Sequence, residues 1–384
     1  MRYISLILSL FAFSVSGLNA QVFGLKQQSQ AYVEATKFSS MDVEFYDFDQ
    51  DSDLDVVVAC EFCANYLLLN DGEGNFMPFY AFDSLLNDSE DIALADFDKD
   101  GFKDVFFVSE DSRINEFYWG GANLTFVRDE KMSQTRGISN AVDTGDINGD
   151  GLIDIVIGND GFNKIFINQG KRNFKEAFFD FLDYHEDITQ DVELADFDND
   201  GDLDLLVGNE DANRLLEFNN GKFEVFEIPL RQFEGEETRE AEFVDINNDR
   251  KLDIFFINVN FNQKSNWSNR VLIQNESGGF EDKTKAFLAD SVNQFHSVDA
   301  AFTDLNNDGF NDMVITNAFG GPHQIFINQS GNYLKDDTLN SLGLVKATTN
   351  GIDVECADLN GDGKDDIYIS IFRGPDLVYL YTNE

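Results

Sequence analysis

Carboxylates at a fixed spacing dominate the chemistry available to this chain. Seven nine-residue segments carry Asp at positions 1, 5 and 9 and Asp or Asn at position 3. Their side chains are Asp47, Asp49, Asp51 and Asp55; Asp96, Asp98, Asp100 and Asp104; Asp146, Asn148, Asp150 and Asp154; and Asp196, Asp198, Asp200 and Asp204. The last three copies contribute Asp245, Asn247, Asp249 and Asp253; Asp304, Asn306, Asp308 and Asp312; and Asp358, Asn360, Asp362 and Asp366. Oxygens at alternate positions converge as the backbone curls, position 7 adds a carbonyl, and position 9 can bind through both oxygens. Position 6 must turn sharply, and it is Gly101, Gly151, Gly201, Gly309 and Gly363 in five copies. Ser52 and Arg250 occupy it in the other two, so those sites are expected to be weaker. The donor set is all hard oxygen, which suits Ca2+, or Mg2+ with more waters, rather than zinc or copper. An EF-hand would need Glu at position 12 between helices, but Phe107 and Ile157 stand there in β-type runs. Up to seven calcium ions in β-hairpin loops are therefore expected.

Elements of regular period must position these loops. Successive copies start 49, 50, 50, 49, 59 and 54 residues apart. A fixed period of roughly 40–50 residues marks a propeller or a repeat array. In the second copy, residues 91–95 alternate, the loop follows, and residues 105–108 are continuously apolar. Residues 114–119 and 124–127 complete four strands separated by turns, without a helical period. The fourth copy repeats this at 191–195, 205–207, 214–218 and 223–226. Hairpin turns of Asn-x-Gly type recur at Asn70, Asn168 and Asn219, with related turns at Asn275 and Asn328. One such unit cannot bury its own apolar face. The expected fold is all-β: a seven-bladed β-propeller of four-stranded blades. Only two strands follow the last loop, so residues 22–25 are expected to close the last blade and cover its edge.

Residues 1–20 read as a signal peptide, with Arg2, an apolar stretch over 4–15 and a small-residue site ending at Ala20. Residues 21–384 are then one exported body, secreted or periplasmic, with no membrane span and expected to be a monomer. A net charge of −45 excludes non-specific phosphate binding, so no nucleic-acid partner is expected. Such acidity usually means disorder, but 14% aromatic residues and regular β-branched runs argue for a packed core. Cys60 and Cys63 can form a tight local disulfide, and Cys356, which takes the place of Leu94 and Leu194, reads as a small core residue.

Two repeats, residues 96–108 and 196–209, resemble FG-GAP/VCBS-type repeats, the units of the integrin α-subunit N-terminal propeller. The resemblance covers essentially all of 21–384. It implies a seven-bladed propeller with calcium in the hairpin between the first and second strands of each blade, held by the residues at positions 1, 3, 5 and 9. Neither stalk domains nor a membrane span are read in these 384 residues, so receptor signalling is not expected to carry over. The family hosts adhesins, lectins and lyase-type enzymes, and fold alone does not choose among them.

Five residues before each loop stand Asp42, Asp91, Ala141, Asp191, Glu240, Asp299 and Asp353. Three before stand Glu44, Ala93, Asp143, Glu193, Glu242, Ala301 and Glu355. Both sets share strand parity, which would place an acidic ring in the central funnel and make Asp91, Asp191, Glu240, Asp299 and Asp353 candidate ligand contacts. The links on the face away from the calcium hairpins carry Phe62, Phe162, Asn163, Asn209, Phe261, Trp267, Phe319, Phe372 and Arg373. The link from Asn258 to Asn269 is the longest of them, and Trp267 within it suits a sugar ring or a partner surface. No nucleophile elbow, phosphate loop or other catalytic constellation is present. A non-catalytic binding or adhesion module for protein or glycan is expected, with a lyase-like carbohydrate-active enzyme using funnel carboxylates as the alternative. An enzyme would show one deep pocket with a few convergent groups; an adhesive module would show a broad face. Extracellular calcium sites with Kd of about 10⁻⁴ M, at roughly 1 mM calcium, contribute about 1.4 kcal/mol each. Excess chelator should therefore lower Tm sharply in a calorimetric scan, and an unchanged melt would refute the linkage.

Overall fold

The computed structural model describes residues 25–27, 39–177, 187–229, 236–261, 268–288, 295–338 and 349–381. The proposed signal peptide, residues 22–24 and Trp267 lie outside the described residues. Strand β1 (Leu25–Gln27) precedes a series of antiparallel meanders. The first is β2 (Ser39–Tyr46), β3 (Asp55–Cys63), β4 (Tyr66–Leu69) and β5 (Met77–Phe79). The second is β6 (Asn87–Ala95), β7 (Asp104–Ser109), β8 (Glu116–Gly121) and β9 (Thr125–Arg128). There follow β10 (Ile138–Gly145), β11 (Asp154–Asp160), β12 (Lys164–Asn168) and β13 (Phe174–Ala177), then β14 (Thr189–Ala195), β15 (Asp204–Asn209), β16 (Arg214–Asn219) and β17 (Lys222–Phe226). Next come β18 (Thr238–Val244), β19 (Asp253–Asn258), β20 (Arg270–Gln274) and β21 (Phe280–Asp282), and β22 (Ser297–Thr303), β23 (Asp312–Asn317), β24 (Gln324–Asn328) and β25 (Leu334–Asp336). The chain finishes with β26 (Gly351–Ala357), β27 (Asp366–Ile371) and β28 (Leu377–Tyr381). A short helix α1 (Thr284–Phe287), which the strand pattern did not foresee, leads out of β21.

Five sheets have four strands, and pairing of Glu61 with Asp88 and Cys63 with Asn87 joins the first two meanders into an eight-stranded sheet. The last sheet takes β1 as its fourth strand, with Leu25 opposite Tyr381 and Gln27 opposite Tyr379. Closure by an N-terminal strand is thus observed, at 25–27. The inner strands β2, β6, β10, β14, β18, β22 and β26 each lie beside the next, and β26 lies beside β2. No helix among the described residues is long and apolar enough to cross a membrane.

The apolar runs that end each loop become second strands sandwiched between neighbouring sheets. Every residue of β7, β15, β19, β23 and β27 is buried. There is accordingly no single core; clusters sit between adjacent sheets. Phe97 and Phe117 pack on Phe174 of the following meander, and Phe197 packs on Phe243 and Phe280. Val43, Tyr66 and Phe76 of the first meander pack with Leu359, Tyr368 and Leu380 of the last. That final cluster shuts the circle.

A polar relay joins the same neighbours. Seven residues before each loop, six copies carry a buried Ser or Thr: Ser40, Ser89, Ser139, Thr189, Thr238 and Ser297. Thr238 accepts a bond from Asn213 of the preceding sheet at 2.8 Å and donates to Asn258 of its own at 2.8 Å. Ser139 and Ser297 stand between Asn115 and Asn159, and between Asn269 and Asn317, in the same way. Asn213 in turn accepts from the Asn209 N–H at 2.8 Å. His323 and Asp376 take the Asn place in the last two sheets. Asn209, foreseen on an exposed link, is instead fully buried with its amide paired to Thr189 and the Ala212 carbonyl. Replacing Thr238 by Val keeps the shape but strands a buried donor and acceptor, a loss of about 1–3 kcal/mol. Urea unfolding of Thr238→Val should show that decrease; an unchanged midpoint would rule out the relay as a stabilising contact.

Candidate calcium loops and the acidic funnel

Each loop connects a first strand to the buried second strand, so its position 9 is pulled into the interior. Asp55, Asp104, Asp154, Asp204, Asp253, Asp312 and Asp366 are all buried. Asp104 accepts from the Phe97 N–H and from the Gly120 N–H of the third strand, both at 2.9 Å. Asp55, Asp154, Asp204, Asp253 and Asp366 repeat this double bridge. In the sixth loop Asp312 accepts from the Asn328 N–H, and its second oxygen is buried without a partner. Position 1 organises the turn: Asp96 accepts from the N–H groups of Asp100 and Gly101 at 3.0 and 2.9 Å. The backbone at position 6 is left-handed in every copy, from φ +98° at Gly201 to +83° at Ser52 and +69° at Arg250. Position 4 is left-handed too, with φ +61° at Lys99 and +63° at Asn199. Only the glycine at position 6 had announced this geometry.

Three loops bring acid oxygens from positions 1, 3 and 9 within 4.8 Å of one another: Asp47, Asp49 and Asp55; Asp96, Asp98 and Asp104; Asp196, Asp198 and Asp204. These donors and the unpaired Asp312 oxygen fit a hard divalent cation. Asp51, Asp100 and Asp200 stand outside those groups, each accepting from the N–H two residues on. Where position 3 is Asn, the Asn148 and Asn360 amides approach Asp154 and Asp366 at 3.4 Å. Arg172, from the hairpin of the next sheet, reaches Asp98 at 2.5 Å and Asp100 at 3.4 Å while lying over the Trp119 ring. An ion in that loop would have to share its ligands with this cation. Nothing in the local sequence around Asp96 pointed to Arg172.

The acids that precede the loops do converge. Asp42, Glu44, Asp91, Asp143, Asp191, Glu193, Glu240, Glu242, Asp299, Asp353 and Glu355 line one axial cavity of about 660 Å³. Every inner strand shifts register at this level, for example between Ser89 and Asp91 and between Thr189 and Asp191. Carboxylates then accept from the next strand's backbone: Asp91 from the Val142 N–H at 2.6 Å, Asp143 from Leu194 at 2.7 Å, Asp191 from Ala241 at 3.0 Å and Glu193 from Phe243 at 2.6 Å. Asp299 accepts from Val354, and Asp353 from Val43 across the closure. The charges of Asp91 and Asp353 bear on Asp42, and that of Asp299 bears on Asp353. Burial, then the charges of neighbouring acids, raises these carboxyls: Glu44 and Glu242 to about 8 and Asp91 to about 7. Asp42, Asp191, Glu240, Asp353 and Glu355 are held well above the ordinary range for the same two reasons.

Phe261, Phe319 and Phe372 line the cavity, and Phe261 and Phe319 are 40% and 69% exposed; Phe62 and Phe162, on other links, are 53% and 50% exposed. Phe261 stacks against His296 and meets Phe319 edge-on, with Arg239 over its outer face at 4.8 Å. Cys60 and Cys63 are disulfide-bonded beside Phe62.

Residues 47–107, 96–157, 146–207, 196–256, 245–315 and 304–369 match the FG-GAP-like repeat. The chain belongs to the FG-GAP-like repeat family. Over 120 residues, 29% of the chain, it is 29% identical to integrin alpha-3 of Mus musculus and to that of Cricetulus griseus. That match spans 11% of those relatives' length. A lectin of Agrocybe aegerita, described as recognising non-reducing terminal N-acetylglucosamine, superposes with a TM-score of 0.56 at 16% identity over 86% of this chain and 85% of the lectin. BBS1N, solved in complex with ARL6DN, superposes with a TM-score of 0.58 at 10% identity over 94% of this chain and 98% of that one. Both structural likenesses are likenesses of fold.

A carboxyl whose folded pKa lies above its unfolded value stabilises the fold while protonated and loses that contribution as pH rises through the folded pKa. Glu242 moves from 4.5 to about 8, so its contribution fades between roughly pH 5 and pH 8. At saturating calcium, Tm should therefore decline over that window, and less steeply in Glu242→Gln. Identical slopes for the two proteins would contradict the raised carboxyl.

Proposed function

We propose that this FG-GAP-like repeat chain is an exported, calcium-stabilised, seven-bladed propeller that works as a non-catalytic binding or adhesion module. Its ligand is a protein or glycan taken at the face opposite the calcium hairpins. In this reading residues 1–20 direct export, residues 21–384 are one monomeric body, and the eight-stranded sheet is two blades bridged at β3 and β6. The blade count has two supports: seven inner strands form the circle, and each of the six matched windows takes in two successive loops. The position 1, 3, 5 and 9 residues of each loop are the proposed calcium ligands.

The observation that carries the binding role is the joint acidic and aromatic mouth. Exposed aromatic faces beside a carboxylate funnel suit a ligand with cationic or hydroxyl groups on an apolar frame. Asp91, Asp191, Glu240, Asp299 and Asp353 would meet it in the funnel. A large apolar surface left exposed on a soluble domain commonly marks an interaction site. The lyase-like alternative draws on the raised Glu44 and Glu242, which would hold a proton near neutral pH as a general acid must. Against it, the acids recur symmetrically and many already accept backbone N–H groups, whereas catalysis needs a few groups set apart by their surroundings.

A glycan array probed with and without calcium, with product analysis on every hit, separates the two. The binding reading expects calcium-dependent retention of intact ligand and weakened retention by Phe319→Ala. Shortened or unsaturated products would move the assignment to the enzyme.

A further inference from the structure

We propose a second kind of cation site, outside the hairpin loops and on the funnel-mouth face, formed by Asp88, Glu110 and Asp111. Asp88 lies at the start of β6, and the two other acids form the turn that leaves β7. One oxygen from each lies within 4.8 Å of the others. Oxygens on opposite sides of a calcium ion at about 2.4 Å stand about 4.8 Å apart, so the group has the right span.

Asp88 supplies an independent indication. It is 2% exposed, and one of its oxygens accepts from the Asp111 N–H at 3.1 Å. The other oxygen is buried and has no hydrogen-bond partner. Leaving a buried carboxylate oxygen unpaired is costly, and an ion held with Glu110 and Asp111 would remove the cost. Among the described residues none of the three acids makes an ion pair. The nearby Arg239 is engaged by Glu210 at 3.3 Å and by Gln190. Two further bonds fix the turn: the Glu110 N–H donates to the Asp88 carbonyl at 3.1 Å, and Ser112 accepts from the Asp88 N–H at 2.9 Å. Glu61 and Glu90 flank the group; burial and then the charge of Asp88 raise both carboxyls.

This constellation is peculiar to one repeat. The position of Asp88, eight residues before the loop, is Ser39, Ile138, Ile188, Glu237, His296 or Asn350 elsewhere. The fourth repeat keeps the acidic turn as Glu210 and Asp211 but faces it with Ile188. The fifth keeps an acid, Glu237, but its turn is Val259 and Asn260. Three carboxylates without His or Cys select a hard cation, calcium above zinc.

The test is diffraction from crystals of the full chain soaked in Mn2+, a hard-oxygen surrogate, with data taken at the manganese edge. An anomalous peak among Asp88, Glu110 and Asp111 is expected, and it should vanish in Asp111→Asn/Glu110→Gln, whose changes lie on a surface turn. Absence of the peak overturns the site whether or not the hairpins are occupied, and so does a peak that survives the double variant. Peaks in the hairpins report on the calcium-loop reading separately.

Discussion

Burial of each second strand between two neighbouring sheets is the constraint on which the remaining structure depends. Val105–Phe107 and Phe255–Ile257 have no exposed face, so neither strand can be stable in an isolated sheet. Stability must be passed around the circle. The cluster linking Val43 and Tyr66 to Leu359 and Tyr368 then matters as much as any other, because it removes both ends of the array. Pairing of β1 with β28 completes the closure by covering a strand edge that would otherwise be open.

Polar groups follow the same rule at both ends of each blade. Near the mouth, Ser and Thr hydroxyls pass hydrogen bonds from one sheet to the next. Near the loops, Asn70, Asn168, Gln274 and Asn328 donate to the position 2 carbonyl of a neighbouring loop: Leu359, Phe97, Phe197 and Ile246. The acidic loops are therefore built into the joints between sheets. Whatever orders one loop would, through these bonds, also steady the sheet beside it.

The funnel acids serve two needs that pull against each other. As acceptors of inner-strand N–H groups they tie each inner strand to the next, at the level where the strands shift register. As a crowd of carboxylates they cannot all ionise in a confined space, and burial makes this worse. The raised carboxyls are the physical result. The aromatic rim adds apolar area around the same opening.

Much of this was legible in the residue pattern alone. Period, strand order, hairpins, the acidic ring and the loop oxygens follow from local rules, because strand parity and turn chemistry are settled within a few residues of chain. Side-chain contacts between residues distant along the chain were not legible, whether within a repeat or between repeats. Arg172 over Asp98 is 74 positions away, Asn209 turned inward to serve Thr189, and Asp88 met Glu110 and Asp111 only when β6 folded against β7. Such pairings depend on which side chains strand pairing within a sheet and packing between sheets bring face to face. Spacing along the chain determines which oxygens a single loop can gather, and the closed stacking of sheets decides which of them gain a neighbour, a proton or a competing cation.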